Sequence, residues 1–213
     1  LLPFVAINRC LILITQFHGL FPNQEEIIHW TFPYIDGGAS ISRTARPYPS
    51  WLIFKPAMFL TSFLLFKYWV YNAKIIKFFD PNHKNIKKFL FFGIASAIAL
   101  TIHSIFLGIK FDNDLYKLFR RMIMLVFIIF EITAQAYLVN TLYSFKGKLN
   151  EYINPIYLKG KLILISLLIV VAIIAIPIIS WPGDKFKFVK HGLEWDYFIG
   201  VISFYLLTFL MWK

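Results

Sequence analysis

Apolar residues in this chain come in long blocks, not in the strict alternation of a half-buried strand. The clearest block is LILISLLIVVAIIAIPIISW, residues 162–181, which carries no charge. Roughly 20 mostly apolar residues cross a bilayer as a helix. On that measure the chain predicts about six helical spans, near 1–20, 51–71, 89–109, 116–142, 158–180 and 195–212. Backbone groups in lipid must be paired within their own segment, which makes helices the default for such blocks. The runs are too long and too continuous for barrel strands. The expected fold is all-α: one transmembrane domain over residues 1–213, a bundle of about six helices, with a first outer loop at about 21–50. No internal repeat breaks this pattern.

Composition agrees. Hydrophobic residues make up 59% of the chain and charged residues only 15%, against about a quarter charged in a soluble domain. The formal net charge of +11 raises nucleic acid as a partner. The lysines, however, sit mostly just beyond the apolar blocks, which suits lipid headgroups. No aromatic-basic recognition motif accompanies them, so membrane lipids and not nucleic acids are the expected partners. Cys10 is the single cysteine; it allows no intrachain disulfide and no cysteine cluster for zinc.

Lysine density also suggests an orientation. The connection after the second span holds Lys67, Lys74, Lys77, Lys84, Lys87 and Lys88 against one acid, Asp80. The connection after the fourth, KGKLNEYINPIYLKGK, holds four lysines and one glutamate. The opposite side carries Arg43, Arg46, Lys110, Lys117, Arg120, Arg121, Lys185, Lys187 and Lys190, so the two sides nearly tie in number. The shorter, denser lysine loops favour the cytoplasm. That places both termini inside and the first loop outside or in a lumen, in an integral, multi-pass protein.

Ionisable residues inside spans are rare enough to mark function. Arg9 lies in the first apolar run; it either pairs within the bundle or snorkels to the interface. Glu131 lies mid-span with Gln135 one turn on, so both share a helix face. Arg9 and Glu131 fall at similar depths, which predicts an intramembrane polar group of Arg9, Glu131 and Gln135. His103 sits in the third span. A hydrogen-bonded bundle residue is the ordinary role for such a histidine, and a pH-sensitive or catalytic role is the other. Gly93, Ser96, Ala97 and Ser104 lie largely along one flank of the same helix, as close packing requires.

Signatures of soluble catalysis are missing: the sequence has no G-x-S-x-G, no H-E-x-x-H and no phosphate-binding loop. Only His191, Glu194 and Asp196 cluster, in HGLEWD. Acids there also complement a helix start, and no metal and no cofactor is expected. His103, Asp36 and Glu194 remain the weak acid-base candidates.

The most distinctive polar stretch is FPYIDGGASISRTARPYPSW, residues 32–51. Asp36-Gly37-Gly38 makes a turn, and Arg43 and Arg46 offer planar forks suited to phosphate. The motif Pro33-Tyr34-Ile35-Asp36-Gly37, followed by Phe54 in the next span, is similar to the first outer loop of the Frag/DRAM/Sfk family, also described by the amino-terminal region of the Cwh-type cell-wall proteins. Glu194-Trp195 before an aromatic-rich last span matches that family too, as does the order of all six blocks. The Ser before Asp36 is missing, Gly37-Gly38 stands for a Thr-Gly pair, and ASISRTARPYPS looks inserted. The resemblance implies six spans, inside termini and work on lipids: remodelling of glycosylphosphatidylinositol anchors, leaflet-lipid homeostasis or autophagy regulation.

The leading expectation is therefore a protein of lipid handling, with no evident chemistry of its own. It would bind a headgroup at the outer face through Tyr34, Asp36, Arg43, Arg46, Glu194 and Trp195. The rivals are a membrane-embedded lipid-remodelling enzyme, a small transporter using Arg9, Glu131 and Gln135, and an accessory subunit packed against a membrane-protein partner.

Overall fold

The computed structural model describes residues 1–21, 28, 31–107, 109, 114–149, 151–180 and 186–213. The loop cations Lys110 and Lys185, and the side chains of Lys117 and Arg121, lie outside the described residues. Among the described residues every named element is helical: α1 (Leu2–Gln16), a short 3-10 turn at His18–Leu20, α2 (Pro33–Asp36), α3 (Ile41–Ala45), α4 (Ser50–Phe79), α5 (Ile86–Phe106), α6 (Asp114–Ser144), α7 (Lys146–Leu149), α8 (Pro155–Ser180) and α9 (Lys187–Met211). The fold is all-α.

Five helices, α4, α5, α6, α8 and α9, are long and apolar enough to cross a membrane, which is the build of a multi-pass membrane protein. The first predicted span forms a helix of 15 residues. At 1.5 Å per residue it runs about 22 Å, short of a hydrocarbon core of about 30 Å. The long helices overrun their apolar blocks. α4 continues to Phe79 and α9 begins at Lys187. Lysines are good helix formers, and their ammonium groups sit over aromatic rings, as that of Lys67 does over Phe63 and that of Lys74 over Tyr71. Much of what reads as connecting loop in the sequence is therefore helix.

The chain divides into two compact units. The first comprises residues 1–57 and 167–203; the second comprises 58–166 and 204–213. In the first unit, α1 is fixed to the start of α4 by Cys10, whose Sγ donates to the Ser50 carbonyl at 3.2 Å. Ile14, Phe21, Ile28 and Ala39 form a buried apolar cluster beside it, with Leu13 packed against them.

In the second unit α5 packs on α6. Gly93 makes room for the fully buried Trp69: a Cβ at this glycine would stand 2.3 Å from the indole. The predicted small-residue flank of α5 is thus a packing surface at Gly93. It becomes a polar one at Ser96, whose hydroxyl donates to Glu131. The chain end is tied back to the α7–α8 connection by Asn154 N–H to the Met211 carbonyl and Lys213 N–H to the Tyr152 carbonyl.

Candidate functional site

The polar stretch of the first loop folds through its own backbone and then docks on the first turns of α9. Asp36 organises it. Its carboxylate accepts hydrogen bonds from Thr31 Oγ1 at 2.6 Å, from the Phe32 N–H at 2.8 Å and from the Gly38 N–H at 2.8 Å. Burial works against the charge of Asp36, but these three donors outweigh it and hold the carboxyl below its ordinary value. Gly37 then turns the chain with φ +61, a region that costs other residues about 1–2 kcal/mol. A Cβ there would also stand 1.9 Å from the Phe188 carbonyl oxygen. Glycine is demanded by both the angle and the approach to α9.

Three side chains of α9 receive this turn. His191 Nδ1 lies 2.9 Å from the Gly37 carbonyl. Trp195, fully buried, donates its indole N–H to the Ala39 carbonyl at 2.8 Å. Glu194 Oε2 accepts the Ile41 N–H at 3.1 Å. Tyr34 closes the arrangement: its ring meets Trp195 edge-on at 4.8 Å, and its hydroxyl donates to Asn8 of α1 at 3.0 Å. Burial pushes the Tyr34 phenol up, against the hydrogen bond to Asn8. Ser40 then caps α3, accepting the Arg43 N–H at 3.1 Å.

The structure thus brings Tyr34, Asp36, Glu194 and Trp195 into one local assembly. Asp36 and Glu194 each spend their carboxylate on loop backbone. Arg43 is exposed at the end of α3, and its charge bears on the His191 ring together with that of Lys187. Arg46 is half-buried just past α3. The HGLEWD cluster does not converge: His191 and Glu194 take different loop groups, and Asp196 is exposed. No group of three metal-ligating side chains is found among the described residues.

His103 belongs to the second unit, buried on α5, with Nδ1 lacking a hydrogen-bond partner among the described residues. Glu131 is there too, fully buried. The shared face with Gln135 is as the spacing predicts: Gln135 Nε2 donates to Glu131 Oε1 at 2.8 Å. Ser96 Oγ donates to Oε2 at 2.7 Å, and the Tyr205 hydroxyl donates to Oε1. Neutral donors of its own unit therefore satisfy Glu131. Arg9 is exposed on α1, in the first unit.

Two polar residues of the second unit are not legible in the sequence pattern. Lys161, counted there among loop lysines, lies inside α8 with no exposed surface. Tyr205 lies within an aromatic-rich run, where nothing marks it as a partner of Glu131. Comparison of the chain with protein-family models, with curated proteins and with solved structures finds no match.

Proposed function

We propose that this is a lipid-handling membrane protein that holds an anionic lipid headgroup against the docked first loop. The observation that carries the reading is a loop bearing Arg43 that is locked to the stretch of α9 bearing Lys187 and His191, by the bonds of His191 to the Gly37 carbonyl and of Glu194 to the Ile41 N–H. Arg43 and Lys187 are both exposed, one a planar fork and the other a compact point charge, a combination suited to phosphate. The loop is held by backbone-directed bonds from Asp36, Glu194 and Trp195, which leaves the cations a rigid platform. The five apolar helices present many large hydrophobic side chains outward, among them Phe63, Phe91 and Ile163, as acyl chains require. The resemblance to the Frag/DRAM/Sfk family supports the same class of work and an outer or lumenal placement of the loop.

The test is native mass spectrometry of protein extracted in nanodiscs of its own membrane. A stoichiometric phospholipid or glycolipid that disappears in Arg43→Ala/Lys187→Ala is the expected result. A bare monomer, a protein partner in place of lipid, or a lipid retained undiminished by the double variant overturns the headgroup site.

A further inference from the structure

The second unit contains a column of polar side chains that the headgroup reading does not use. It begins at Lys161, six residues into α8, about 9 Å from the helix start. Lys161 has no exposed surface. Its Nζ donates to Thr208 Oγ1 at 2.8 Å and lies 4.0 Å from the centre of the Phe204 ring. No carboxylate accepts from it among the described residues. An ammonium has three donors, and burying one without an anion is costly. The Tyr68 hydroxyl lies 3.3 Å from the same Thr208 oxygen. The Tyr68 ring meets that of Tyr205 edge-on at 5.0 Å, and the Tyr205 hydroxyl donates to Glu131. Glu131 is thirteen residues from the end of α6, about 20 Å along it. Its charge acts on both phenols. The groups that face Glu131 are Ser96 from α5, Gln135 from α6 and Tyr205 from α9. On the same face of α5, two turns beyond Ser96, stands the buried His103, with the charge of Arg120 bearing on it.

A fully buried base and a fully buried acid, in helices built to cross a membrane and separated by hydroxyls, have the composition of a proton path. For stability alone, apolar groups in place of a buried charged pair are often as good or better. From this arrangement we infer that the second unit conducts protons between the Lys161 end and Glu131. In each transfer the Lys161 ammonium gives a proton to the Thr208 oxygen, and the Thr208 hydrogen, which at rest is donated to the Phe204 carbonyl, turns to the Tyr68 oxygen 3.3 Å away. Tyr205 gives its phenolic hydrogen to the Glu131 carboxylate; its ring only meets that of Tyr68 edge-on, so a water molecule between the two hydroxyls takes the Tyr68 hydrogen and gives one of its own to Tyr205. One proton moves, lysine becomes the amine, glutamate becomes the acid, and no other bond changes. This path does not depend on the headgroup site.

The experiment is proton flux into liposomes that hold the full chain and an internal pH-sensitive dye, driven by a potassium diffusion potential. Flux above protein-free liposomes is expected, falling to that baseline in Glu131→Gln and in Lys161→Met. Tyr205→Phe, which removes only a hydroxyl, is expected to lose flux as well; it decides the matter if the charge variants do not fold. Lys159→Met, at an exposed lysine of the same helix, keeps the wild-type rate. Wild-type flux at the protein-free baseline, or a folded Tyr205→Phe that conducts like wild type, overturns the inference.

Discussion

Trp195 donates its indole N–H to the Ala39 carbonyl across 2.8 Å, joining the last long helix to the first loop although 156 residues separate the two in sequence. The contact is buried, so neither partner has water as an alternative. Trp195→Phe keeps an aromatic ring against Tyr34 but leaves the Ala39 carbonyl without its donor. The expected loss is about 1–3 kcal/mol, the usual cost of an unmade buried hydrogen bond. Thermal unfolding in detergent measures it, and the loop should become accessible to protease before the helices melt.

Gly37 is the sharper probe of the same docking. Gly37→Ala places a methyl group 1.9 Å from the Phe188 carbonyl oxygen, at a φ of +61. The obstacle is backbone, which cannot swing aside as a side chain can. The loop is therefore expected to detach from α9, and Arg43 to lose its fixed relation to Lys187 and His191. Protease cleavage within residues 36–46 of the variant, at an enzyme dose that leaves wild type intact, is the readout. Gly19→Ala is the contrasting control, because nothing stands within 4 Å of a Cβ there.

These long-range contacts also show what the sequence could carry. The apolar blocks made the five long helices legible, and the Glu131–Gln135 spacing correctly put both on one face. The helix ends were not legible, because lysine beside an apolar run is equally consistent with a headgroup loop and with another helical turn. Lys161 shows the cost of that ambiguity: a lysine near the start of α8 is placed at the interface by charge counting, yet Thr208 and Phe204 enclose it. The motif residues Asp36, Glu194 and Trp195 could be picked out locally. Their mutual arrangement could not, since it depends on backbone groups of Gly38, Ile41 and Ala39, which leave no signature in residue type.

The Asp36 carboxylate gives the loop a defined response to acid. Its folded value is lowered from 3.8 because three donors favour the charged form more than burial disfavours it. A group depressed on folding contributes stability above its unfolded value and loses it as pH falls through the lowered value. The docked loop should therefore be unaffected by Asp36 from neutral pH down to about pH 4 and loosen only below that. Hydrogen exchange at the Phe32 and Gly38 amides, corrected for intrinsic rates, should rise over that acid range. In Asp36→Asn the same amides should show no such step.

Packing in the second unit can be tested at Gly93. Replacing it with alanine would normally favour a helix by about 1 kcal/mol. Here the new methyl group meets the Trp69 indole at 2.3 Å, and that ring is fully buried with nowhere to move. Overpacking of a tight core costs about 1–3 kcal/mol, so the clash wins and Gly93→Ala should melt earlier than wild type. Adding Trp69→Leu should recover part of the loss. Additive losses in the double variant would show that the two positions do not share one space.

Lys161 separates stability from function more cleanly than any other residue. Its ammonium is enclosed by Phe204 and has Thr208 as its hydrogen-bond partner. Replacing a buried charge by an apolar side chain of similar volume is often neutral or stabilising by about 1–4 kcal/mol. Thr208 keeps its bond to the Phe204 carbonyl in either case. Lys161→Met is accordingly expected to unfold at a temperature no lower than wild type. Lys161→Ala should fall below the Met variant, because it leaves a cavity where the stem packed. A Met variant that melts well below wild type would mean that the lysine serves the fold. A Met variant that is as stable and has lost proton flux would mean that the chain bears a buried charge for what it does and not for how it stands.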